Sequence, residues 1–397
     1  MTVVAKEKKQ VGLTGNSAIA YAMKQINPDV CPAYPITPST GVIEEFSNYY
    51  ADGEVDTEFI TVESEHSAMS ACVGASAAGA RVMTATSSQG LALMWEMLYI
   101  ASGYRLPIVM TLVNRALSAP INIHCDHSDS MGARDSCWIQ LYSETVQEAY
   151  DNLIQAVRIA EHSSVLLPAM VCMDGFITSH AIENLTLMGD KEVKDFIGEY
   201  KPAHSLLDTD NPVTMGAMTL PDSYMEFKFA QSEAMARAKD AVIEIGKEFG
   251  RLTGREYGVM ESYKLDDADC AIVVLNSAAG TTKAAVDELR AKGKKVGVLR
   301  PRLFRPFPHQ EIKDALKNVK AVCVLDRADA MNGFGGPLFS EVRSALYGVP
   351  SAPKVMGRIF GLGGRDYIVK DAVAVFLELY KVLERGNIEK LTGYLNF

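Results

Sequence analysis

Cysteine is scarce and scattered in this 397-residue sequence, which has seven cysteines and no Cys-x-x-Cys pair. That spacing supports neither a zinc site nor a disulfide framework. The sequence also lacks the clustered cysteine runs that hold iron–sulfur clusters. We therefore expect most of these thiols to be small buried groups. They are Cys31, Cys72, Cys125, Cys137, Cys172, Cys270 and Cys323.

The sequence also lacks an excess of positive charge and any long apolar run. Its net charge of -10 at pH 7 disfavours a surface for nucleic acid or for an anionic membrane. The apolar runs are broken well before the length that spans a bilayer. Residues 1–10 are charged and lack the apolar core of a secretory signal. We therefore expect a cytoplasmic protein that binds neither nucleic acid nor membrane.

Phosphate-binding and metal-binding motifs are missing as well. The glycine-rich stretches at 333–336 and 361–366 match neither the dinucleotide fingerprint nor the P-loop, so we interpret them as tight turns. The missing fingerprint also disfavours a nicotinamide-dependent oxidoreductase. The loop 124–129 contains His, Cys and Asp, but no second cluster completes a metal site. We predict no metal site in this chain.

The composition is that of an ordinary globular chain, with 48% hydrophobic and 22% charged residues. The length favours two or three domains. Short apolar runs alternate with helical patterns throughout, which predicts α/β domains with doubly wound parallel sheets. We place the first domain at 1–257, including a covering segment at 176–225 and a long helix at 226–249. A smaller α/β domain follows at 258–397.

The pattern also predicts where the individual elements lie. Asn16 or Ser17 is expected to cap the first helix, Pro38 to begin the second, and 115–141 to be irregular. Strands are expected at 11–15, 31–34, 57–62, 81–86, 107–113, 164–173, 270–275, 295–299, 319–325 and 354–360. Helices are expected at 18–26, after 38, at 65–80, 91–102, 145–161, 226–249, 281–291, 308–316, 338–347 and 366–385.

A proline-rich loop is the first candidate for function. Residues 31–40 run Cys-Pro-Ala-Tyr-Pro-Ile-Thr-Pro-Ser-Thr. Pro35 and Pro38 push the residues before them into extended geometry, which holds the Thr37 hydroxyl on a stiff loop after a strand. Ligands bind at that edge in open α/β sheets. An ordinary strand-to-helix turn is the alternative.

Two charged residues follow other predicted strands. Glu65 lies in the first turn of a helix of small residues, where the helix dipole favours a carboxylate. Glu63 competes for the same role. Arg115 follows the strand at 107–113 and can hold a carboxylate in a bidentate pair, with Asn114 beside it as a cap or ligand donor. The alternatives are a helix acid without chemistry for Glu65 and an internal ion pair for Arg115.

Together these motifs resemble the alpha subunit of pyruvate:ferredoxin oxidoreductases, a family of the 2-oxoacid:ferredoxin oxidoreductase superfamily. The resemblance covers nearly the whole chain and is weakest at 176–225. The Tyr-Pro-Ile-Thr-Pro motif is shared by several substrate classes, and the region 126–140 favours pyruvate. The matching stretches are 15–20, 34–40, 63–67, 86–90, 114–115, 126–129, 134–135, 147–151 and 361–365.

The resemblance implies a fold and residue roles. The first domain resembles the pyrimidine-binding domain of thiamine diphosphate enzymes, and the second resembles the C-terminal domain of transketolase-like enzymes, with no catalytic residue assigned. Glu65 matches the glutamate that hydrogen-bonds the cofactor's aminopyrimidine and so promotes ylid formation. Arg115 matches the arginine that binds the substrate carboxylate, and Thr37 the threonine that points at the 2-oxoacid. Asn114 is a further implied substrate contact. The implied cofactor contacts are Glu65, Pro35, Ile36, Ser88 and Gln89.

One family feature is absent from this chain. The Gly-Asp-Gly that begins the diphosphate-and-magnesium motif of thiamine enzymes does not occur. The resemblance therefore implies a chain that is active only with partners and shares thiamine diphosphate with a beta subunit. That beta subunit would supply Mg²⁺ and a [4Fe-4S] cluster, with gamma and ferredoxin-like delta subunits completing the complex.

The implied reaction is the reversible oxidative decarboxylation of pyruvate with coenzyme A to acetyl-CoA and carbon dioxide, with electrons passing to ferredoxin. Such chemistry is typical of anaerobic metabolism. One alternative is the same machinery acting on 2-oxoglutarate, a branched 2-oxoacid or oxalate. Another is a non-catalytic scaffold subunit, against which the presence of Thr37, Glu65 and Arg115 together counts.

Overall fold

The computed structural model describes residues 9–397. The prediction about the N-terminal segment falls largely on residues 1–8, which lie outside the described part of the chain. Between residues 9 and 397, no helix has both the length and the apolar character that crossing a membrane requires. We call residues 9–257 the N-terminal part and residues 258–397 the C-terminal part.

The N-terminal part alternates strands and helices as predicted. Its strands are β1 (Gln10–Thr14), β2 (Val30–Ala33), β3 (Glu58–Thr61), β4 (Met83–Thr86), β5 (Val109–Asn114), β6 (Ile139–Tyr142), β7 (Ala169–Asp174) and β8 (Ile182–Thr186). Its helices are α1 (Gly15–Ile26), α2 (Thr40–Ala51), α3 (Glu65–Ala77), α4 (Ser88–Leu93), α5 (Trp95–Gly103), α6 (Ser128–Gly132), α7 (Val146–Glu161), α8 (Asp190–Ile197) and α9 (Tyr224–Thr253).

The C-terminal part repeats the same alternation. Its strands are β9 (Met260–Tyr263), β10 (Cys270–Val274), β11 (Val296–Pro301), β12 (Leu303–Arg305), β13 (Ala321–Asp326), β14 (Lys354–Ile359) and β15 (Thr392–Tyr394). Its helices are α10 (Ala278–Ala291), α11 (His309–Leu316), α12 (Pro337–Leu346) and α13 (Val369–Arg385), with a 3-10 turn at Leu362–Gly364.

Parallel strands form the centre of the N-terminal part. The hydrogen-bonded order is β6-β7-β5-β4, and a parallel bridge between Val30 and Val82 places β2 beside β4, with β3 beyond β2. β12 of the C-terminal part adds an antiparallel strand next to β6. Parallel strands direct their carboxyl ends to one edge, so the loops after β2, β3, β4 and β5 meet there.

A six-stranded sheet forms the centre of the C-terminal part, in the order β15-β14-β13-β10-β11-β9. All neighbours are parallel except β9, which is antiparallel to β11. The α/β prediction is confirmed for both parts. One apolar cluster includes Met170 of β7, Val273 of β10 and Val324 of β13, so the two parts share a continuous core.

The first two helices begin differently from the predictions. Thr14 rather than Asn16 or Ser17 caps α1, because its extended backbone lets its hydroxyl accept a hydrogen bond from the Ser17 backbone nitrogen at 3.1 Å. Helix α2 begins at Thr40 and not at Pro38, because residues 36–39 close a turn in which the Ser39 nitrogen donates to the Ile36 carbonyl.

Two segments contain more regular structure than the sequence indicates. The stretch 115–141, expected to be irregular, contains α6 and the start of β6, and the covering segment 176–225 contains β8 and α8. Strand β8 pairs with β1 in a separate antiparallel ribbon. These elements are four to eight residues long. That length is too short for a helical or strand periodicity to be recognised in the sequence.

Candidate active site

The sequence-predicted residues gather at the carboxyl edge of the parallel strands. Thr37 follows β2, Glu65 follows β3, Ser88 follows β4 and Arg115 follows β5. Strand β2 is flanked by β3 on one side and by β4 on the other, so the strand order reverses between β2 and β4. A crevice at such a switch point is the usual ligand site of open α/β sheets.

Arg115 and Thr37 lie in direct contact at this edge. The Arg115 Nη1 donates to the backbone carbonyl of Thr37 at 3.0 Å, and its Nε donates to the backbone carbonyl of Asn122 at 2.8 Å. Arg115 is only 6% exposed, and in residues 9–397 no acceptor contacts its Nη2. The guanidinium is therefore fixed by two carbonyls and keeps donors for a carboxylate.

Close contacts at Pro38 hold the loop that presents Thr37. Asn16 donates from its amide to the carbonyl of Pro38 at 2.9 Å. A Cβ at Gly175 would lie 2.8 Å from Pro38 Cγ and 2.4 Å from the Asn114 carbonyl oxygen. Only glycine therefore lets the end of β7 approach the loop this closely. The side chain of Thr37 itself stays exposed.

The other two loop residues predicted to contact the cofactor lie just before Thr37. Pro35 is exposed and Ile36 is half-buried, while the Ile36 carbonyl accepts hydrogen bonds from the Ser39 nitrogen and hydroxyl. The contact of these two side chains with a cofactor remains a prediction.

Glu65 is a buried carboxylate without a hydrogen-bond partner in residues 9–397. It is 7% exposed and begins α3, whose cap Ser64 accepts a hydrogen bond from the Ser67 nitrogen at 3.2 Å. No hydrogen bond within residues 9–397 reaches its carboxylate. Helix α4 packs directly against it, since a Cβ at Gly90 would lie 2.9 Å from Glu65 Oε1. Such a carboxylate is available to a ligand.

The surroundings of Glu65 add further unpaired polar atoms. The hydroxyls of Thr86 and Ser87 are buried and find no partner in the described chain. Thr86 Oγ1 would lie 2.4 Å from a Cβ at Gly90, so it borders the same space as Glu65. A carboxylate and two hydroxyls without partners in residues 9–397 therefore lie near one another, and such buried polar atoms can hydrogen-bond a polar ligand.

Glu63, the competing carboxylate, lies on the surface. It is exposed, and it accepts a hydrogen bond from the Ser67 hydroxyl at 2.5 Å, which lowers its pKa. A carboxylate that faces solvent and already has a donor is less suited to a buried ring than Glu65 is.

Asp129 ties the elements of the site together, a role that the sequence alone does not indicate. One carboxylate oxygen accepts from the backbone nitrogens of Ser88 and Arg115, both at 3.0 Å. The other accepts from the Asn114 amide at 2.8 Å and from the Ser130 nitrogen at 2.7 Å. Burial raises the pKa of Asp129 to about 6 although these four donors act to lower it.

The side chains of Asn114 and Ser88 already have hydrogen-bond partners within the protein. Asn114 is fully buried, and its amide donates to Asp129 and to the Ser130 hydroxyl. Ser88 is fully buried as well, and its hydroxyl contacts the Ala116 carbonyl at 2.6 Å and Gln89 Oε1 at 2.7 Å. Their predicted ligand contacts remain predictions, and their observed contacts hold α4 against the Arg115 segment.

A second buried cluster joins the two parts of the chain behind the site. Asp174, fully buried at the end of β7, accepts from His127 Nε2 at 2.7 Å, from Cys125 at 3.2 Å and from Arg327 Nη1 at 3.0 Å. It also accepts from the Ser277 hydroxyl. Burial alone would raise the pKa of Asp174, but Arg327, His127 and Ser277 outweigh it and hold this pKa far below its usual range.

This cluster contains the ligand types of a metal site. The ligand atoms of Cys125, His127 and Asp174 lie within 4.8 Å of one another. The guanidinium of Arg327, however, lies 3.0 Å from Asp174 and 3.9 Å from the Cys125 sulfur. A positive charge already balances the carboxylate, so we interpret the cluster as an interdomain ion pair.

The chain matches two family models over most of its length. Residues 21–247 match the model described as pyruvate flavodoxin/ferredoxin oxidoreductase, thiamine diphosphate-binding. Residues 268–372 match the model described as pyruvate:ferredoxin oxidoreductase core domain II.

Known relatives align along nearly the whole chain. The pyruvate synthase subunit PorA of Thermotoga maritima is 56% identical over 358 residues, covering 90% of this chain and 91% of the relative. The PorA of Methanocaldococcus jannaschii is 50% identical and covers 93% and 94%. The ketoisovalerate oxidoreductase subunit VorA of Pyrococcus abyssi is 45% identical and covers 95% of each chain.

Solved structures with the same fold are more distant in sequence. One is a 2-oxoglutarate:ferredoxin oxidoreductase from Magnetococcus marinus with 2-oxoglutarate, coenzyme A and succinyl-CoA bound, with a TM-score of 0.75 and 22% identity. The match covers 94% of this chain but only 65% of that longer chain. A split-gene transketolase has a TM-score of 0.55 at 12% identity and covers 94% and 99%. These likenesses establish the fold of both parts.

Proposed function

This chain belongs to the pyruvate:ferredoxin oxidoreductase family, and we propose that it is the alpha subunit of a thiamine-diphosphate-dependent pyruvate synthase. The enzyme converts pyruvate and coenzyme A reversibly to acetyl-CoA and carbon dioxide, and the electrons reduce ferredoxin. The contact between Arg115 and Thr37, beside an unpartnered Glu65, is the observation that carries this proposal.

Glu65 is the residue to which we assign proton transfer. Its carboxylate is buried, has no hydrogen-bond partner in the described chain and packs against Gly90 of α4. In a site from which water is excluded, a carboxylate can hold or release a proton at a ring nitrogen. When bound, thiamine diphosphate supplies the nucleophilic carbon and the electron sink for decarboxylation. Glu65 then controls the protonation state of the aminopyrimidine.

Arg115 and Thr37 are the residues to which we assign the substrate. The Arg115 guanidinium retains donors after binding the Thr37 and Asn122 carbonyls, so it can pair with the carboxylate of a 2-oxoacid. The Thr37 side chain is exposed on the same loop, with its hydroxyl available to the substrate oxygen. The pair orients the small acid without itself taking part in bond breaking.

The rest of the reaction is assigned to partner chains. With neither a Gly-Asp-Gly motif nor clustered cysteines, this chain is not expected to hold the diphosphate, Mg²⁺ or an iron–sulfur cluster alone. We assign Mg²⁺, the diphosphate site and a [4Fe-4S] cluster to a beta subunit, and electron transfer towards ferredoxin to gamma and delta subunits. We also assign coenzyme A as co-substrate and the cytoplasm as location.

A branched 2-oxoacid is the second candidate substrate, because a ketoisovalerate oxidoreductase subunit is 45% identical to this chain. The relative with the higher identity of 56% is a pyruvate synthase subunit, which favours pyruvate. Residues supplied by the partner chain can also shape the pocket around the substrate side chain.

Replacing Glu65 tests the proposed mechanism. In the purified complex, Glu65→Gln is expected to lower pyruvate-dependent reduction of methyl viologen by about 10²- to 10⁴-fold, since an amide cannot exchange the proton. Bound thiamine diphosphate and the thermal midpoint should stay close to wild type. The matched control is Glu63→Gln, two residues away on the surface, which should retain activity. Near-normal turnover in Glu65→Gln would remove this residue from the mechanism.

A further inference from the structure

Asn122 connects the candidate substrate arginine to the C-terminal part of the chain. Its backbone carbonyl accepts from Arg115 Nε at 2.8 Å, and its side-chain amide donates to the carbonyl of Gly363 at 2.9 Å. We propose that Asn122 is a positioning residue through which the glycine turn 361–364 sets the orientation of Arg115 for the substrate carboxylate. This inference rests on the proposed role of Arg115.

The segment around Asn122 combines a local turn with contacts to neighbouring segments. Asn122 Oδ1 accepts from the backbone nitrogen of His124 at 2.7 Å, which closes a local turn around the neighbouring exposed residues Ile121 and Ile123. The His124 carbonyl accepts from the Ala116 nitrogen at 3.0 Å, while the hydrogen bonds of Asn122 itself that leave this turn within residues 9–397 go to Arg115 and Gly363. The amide bond to Gly363 therefore anchors the carbonyl that Arg115 uses.

The glycine turn is built to approach this segment closely. Gly363 and Gly364 both have positive φ angles, 58° and 82°, which suit glycine. A Cβ at Gly363 would lie 2.4 Å from Asn122 Nδ2, and one at Gly364 would lie 2.4 Å from His124 Cβ. The Gly364 nitrogen also donates to the Cys125 carbonyl at 2.7 Å. Backbone from the C-terminal part thus lies directly against the segment.

A shift of Asn122 should affect Arg115 because Arg115 has few hydrogen-bond partners in residues 9–397. Its guanidinium has two protein acceptors, the Thr37 and Asn122 carbonyls. If the Asn122 carbonyl shifts, one of the two contacts is lost and the plane of the guanidinium is free to rotate about the other. A bidentate pair with a carboxylate depends on that plane. Substrate affinity should therefore suffer more than the proton transfer at Glu65.

A single substitution can remove the hydrogen bond from Asn122 to Gly363 while keeping the local turn. Asn122→Asp keeps an oxygen for the His124 nitrogen but replaces the donor to the Gly363 carbonyl with an acceptor. In the purified complex, we expect the KM for pyruvate to rise about tenfold, because small misplacements of an orienting group have large effects. The kcat, the KM for coenzyme A and the thermal midpoint should change little.

Three further variants make the test specific. The control Lys283→Gln removes a different contact between the two parts, the ion pair with Glu144 at 2.7 Å, and should leave the pyruvate KM unchanged. In an Arg115→Lys background the guanidinium is absent, so adding Asn122→Asp should raise the KM no further. If Asn122→Asp does not assemble, Asn122→Ser keeps an oxygen for the turn and is too short to reach Gly363.

The outcomes separate this inference from the function that it rests on. A pyruvate KM that is unchanged in Asn122→Asp, or that rises equally with and without Arg115, would overturn the positioning role while Arg115 keeps its assignment. An unchanged pyruvate KM in Arg115→Lys would overturn both. A rise in the KM for pyruvate that occurs only when Arg115 is present would establish the proposal.

Discussion

Asp174 shows how much of the structure around the site depends on one buried carboxylate. It is fully buried at the end of β7, where its Cα is paired in register with that of Asn114 at the end of β5. Its partners Ser277 and Arg327 come from the C-terminal part. Removing one member of a buried ion pair leaves the other charge unpaired in a medium that solvates it poorly. The residue therefore controls how firmly the two parts are joined.

We predict that Asp174→Asn lowers the stability of the folded chain by about 3–5 kcal/mol at pH 7. The purified complex should lose about 5 °C or more in its thermal midpoint. Asp135→Asn is the matched control, since Asp135 is largely exposed and its ion pairs with Arg134 and Arg305 are long, at 3.8 and 3.6 Å. A surface pair of this kind contributes little.

The same residue gives a pH dependence of defined sign. Because the folded-state pKa of Asp174 lies below that of an unfolded aspartate, about 3.9, its stabilisation is present above about pH 4. It is lost as the pH falls below that value towards the folded-state pKa. The difference in thermal midpoint between wild type and Asp174→Asn should therefore be larger at about pH 5 than at about pH 3, and an equal difference at both values would contradict this account.

At the scale of residues, the sequence indicates the candidate site residues that directly follow strands. It does not indicate the residues that hold those site residues in position. Thr37 and Arg115 are predictable because the ends of parallel strands meet at one edge, and the structure places them in contact. Asp129 and Asn122 are not predictable in this way. Their partners lie on α4, β5 and the turn at 361–364, and only the tertiary structure brings these together.

Helix α4 is the element on which the geometry of the candidate site depends most. It begins directly after β4 at the switch point, with Ser88 at a positive φ of 47°. Its Gly90 faces the Glu65 carboxylate and the Thr86 hydroxyl, at distances that leave no room for a Cβ. The sequence run Thr-Ser-Ser-Gln-Gly at 86–90 thus supplies both the strand end and the glycine that lets α4 pack closely on Glu65.

Gly90→Ala should lower activity even though alanine favours a helix by about 1 kcal/mol over glycine. The added methyl would lie 2.4 Å from Thr86 Oγ1 and 2.9 Å from Glu65 Oε1, so the carboxylate must move. We expect pyruvate-dependent turnover to fall by about tenfold or more.

Another helical glycine offers the control for this experiment. Gly103 at the end of α5 has nothing within 4 Å of its would-be Cβ, so Gly103→Ala should leave turnover unchanged. Equal activity in Gly90→Ala and Gly103→Ala would show that catalysis does not depend on the close packing of Gly90 against Glu65.

At the scale of elements, the length of a helix or strand decides whether the sequence predicts it. The long helices α7 and α9 and the apolar strands β5, β10 and β13 are found where predicted, because many residues repeat their pattern. The three-residue strands β12 and β15 have no such repeat. They are held by neighbouring strands that are distant in the sequence, β6 and β14, so the sequence gives no local sign of them.

At the scale of the whole molecule, both parts of the chain contribute to the candidate site. Its N-terminal part presents Glu65, Arg115 and Thr37 at a sheet edge, and its C-terminal part supports them through the clusters at Asp174 and Asn122. The C-terminal part thus contacts the loops of the candidate site although the assigned residues all lie in the N-terminal part. The resemblance stated from the motifs is confirmed by the family models and by relatives of 45–56% identity.

The most direct test of this account is the substrate preference of the intact complex purified from its native host without oxygen. Reduction of methyl viologen would be measured with coenzyme A and, in turn, pyruvate, 2-oxoglutarate, a branched 2-oxoacid and oxalate. We predict that kcat/KM for pyruvate exceeds that for each of the others by about tenfold or more. A higher value for the branched 2-oxoacid, or no activity from a complex that contains thiamine diphosphate and iron–sulfur clusters, would contradict the assignment.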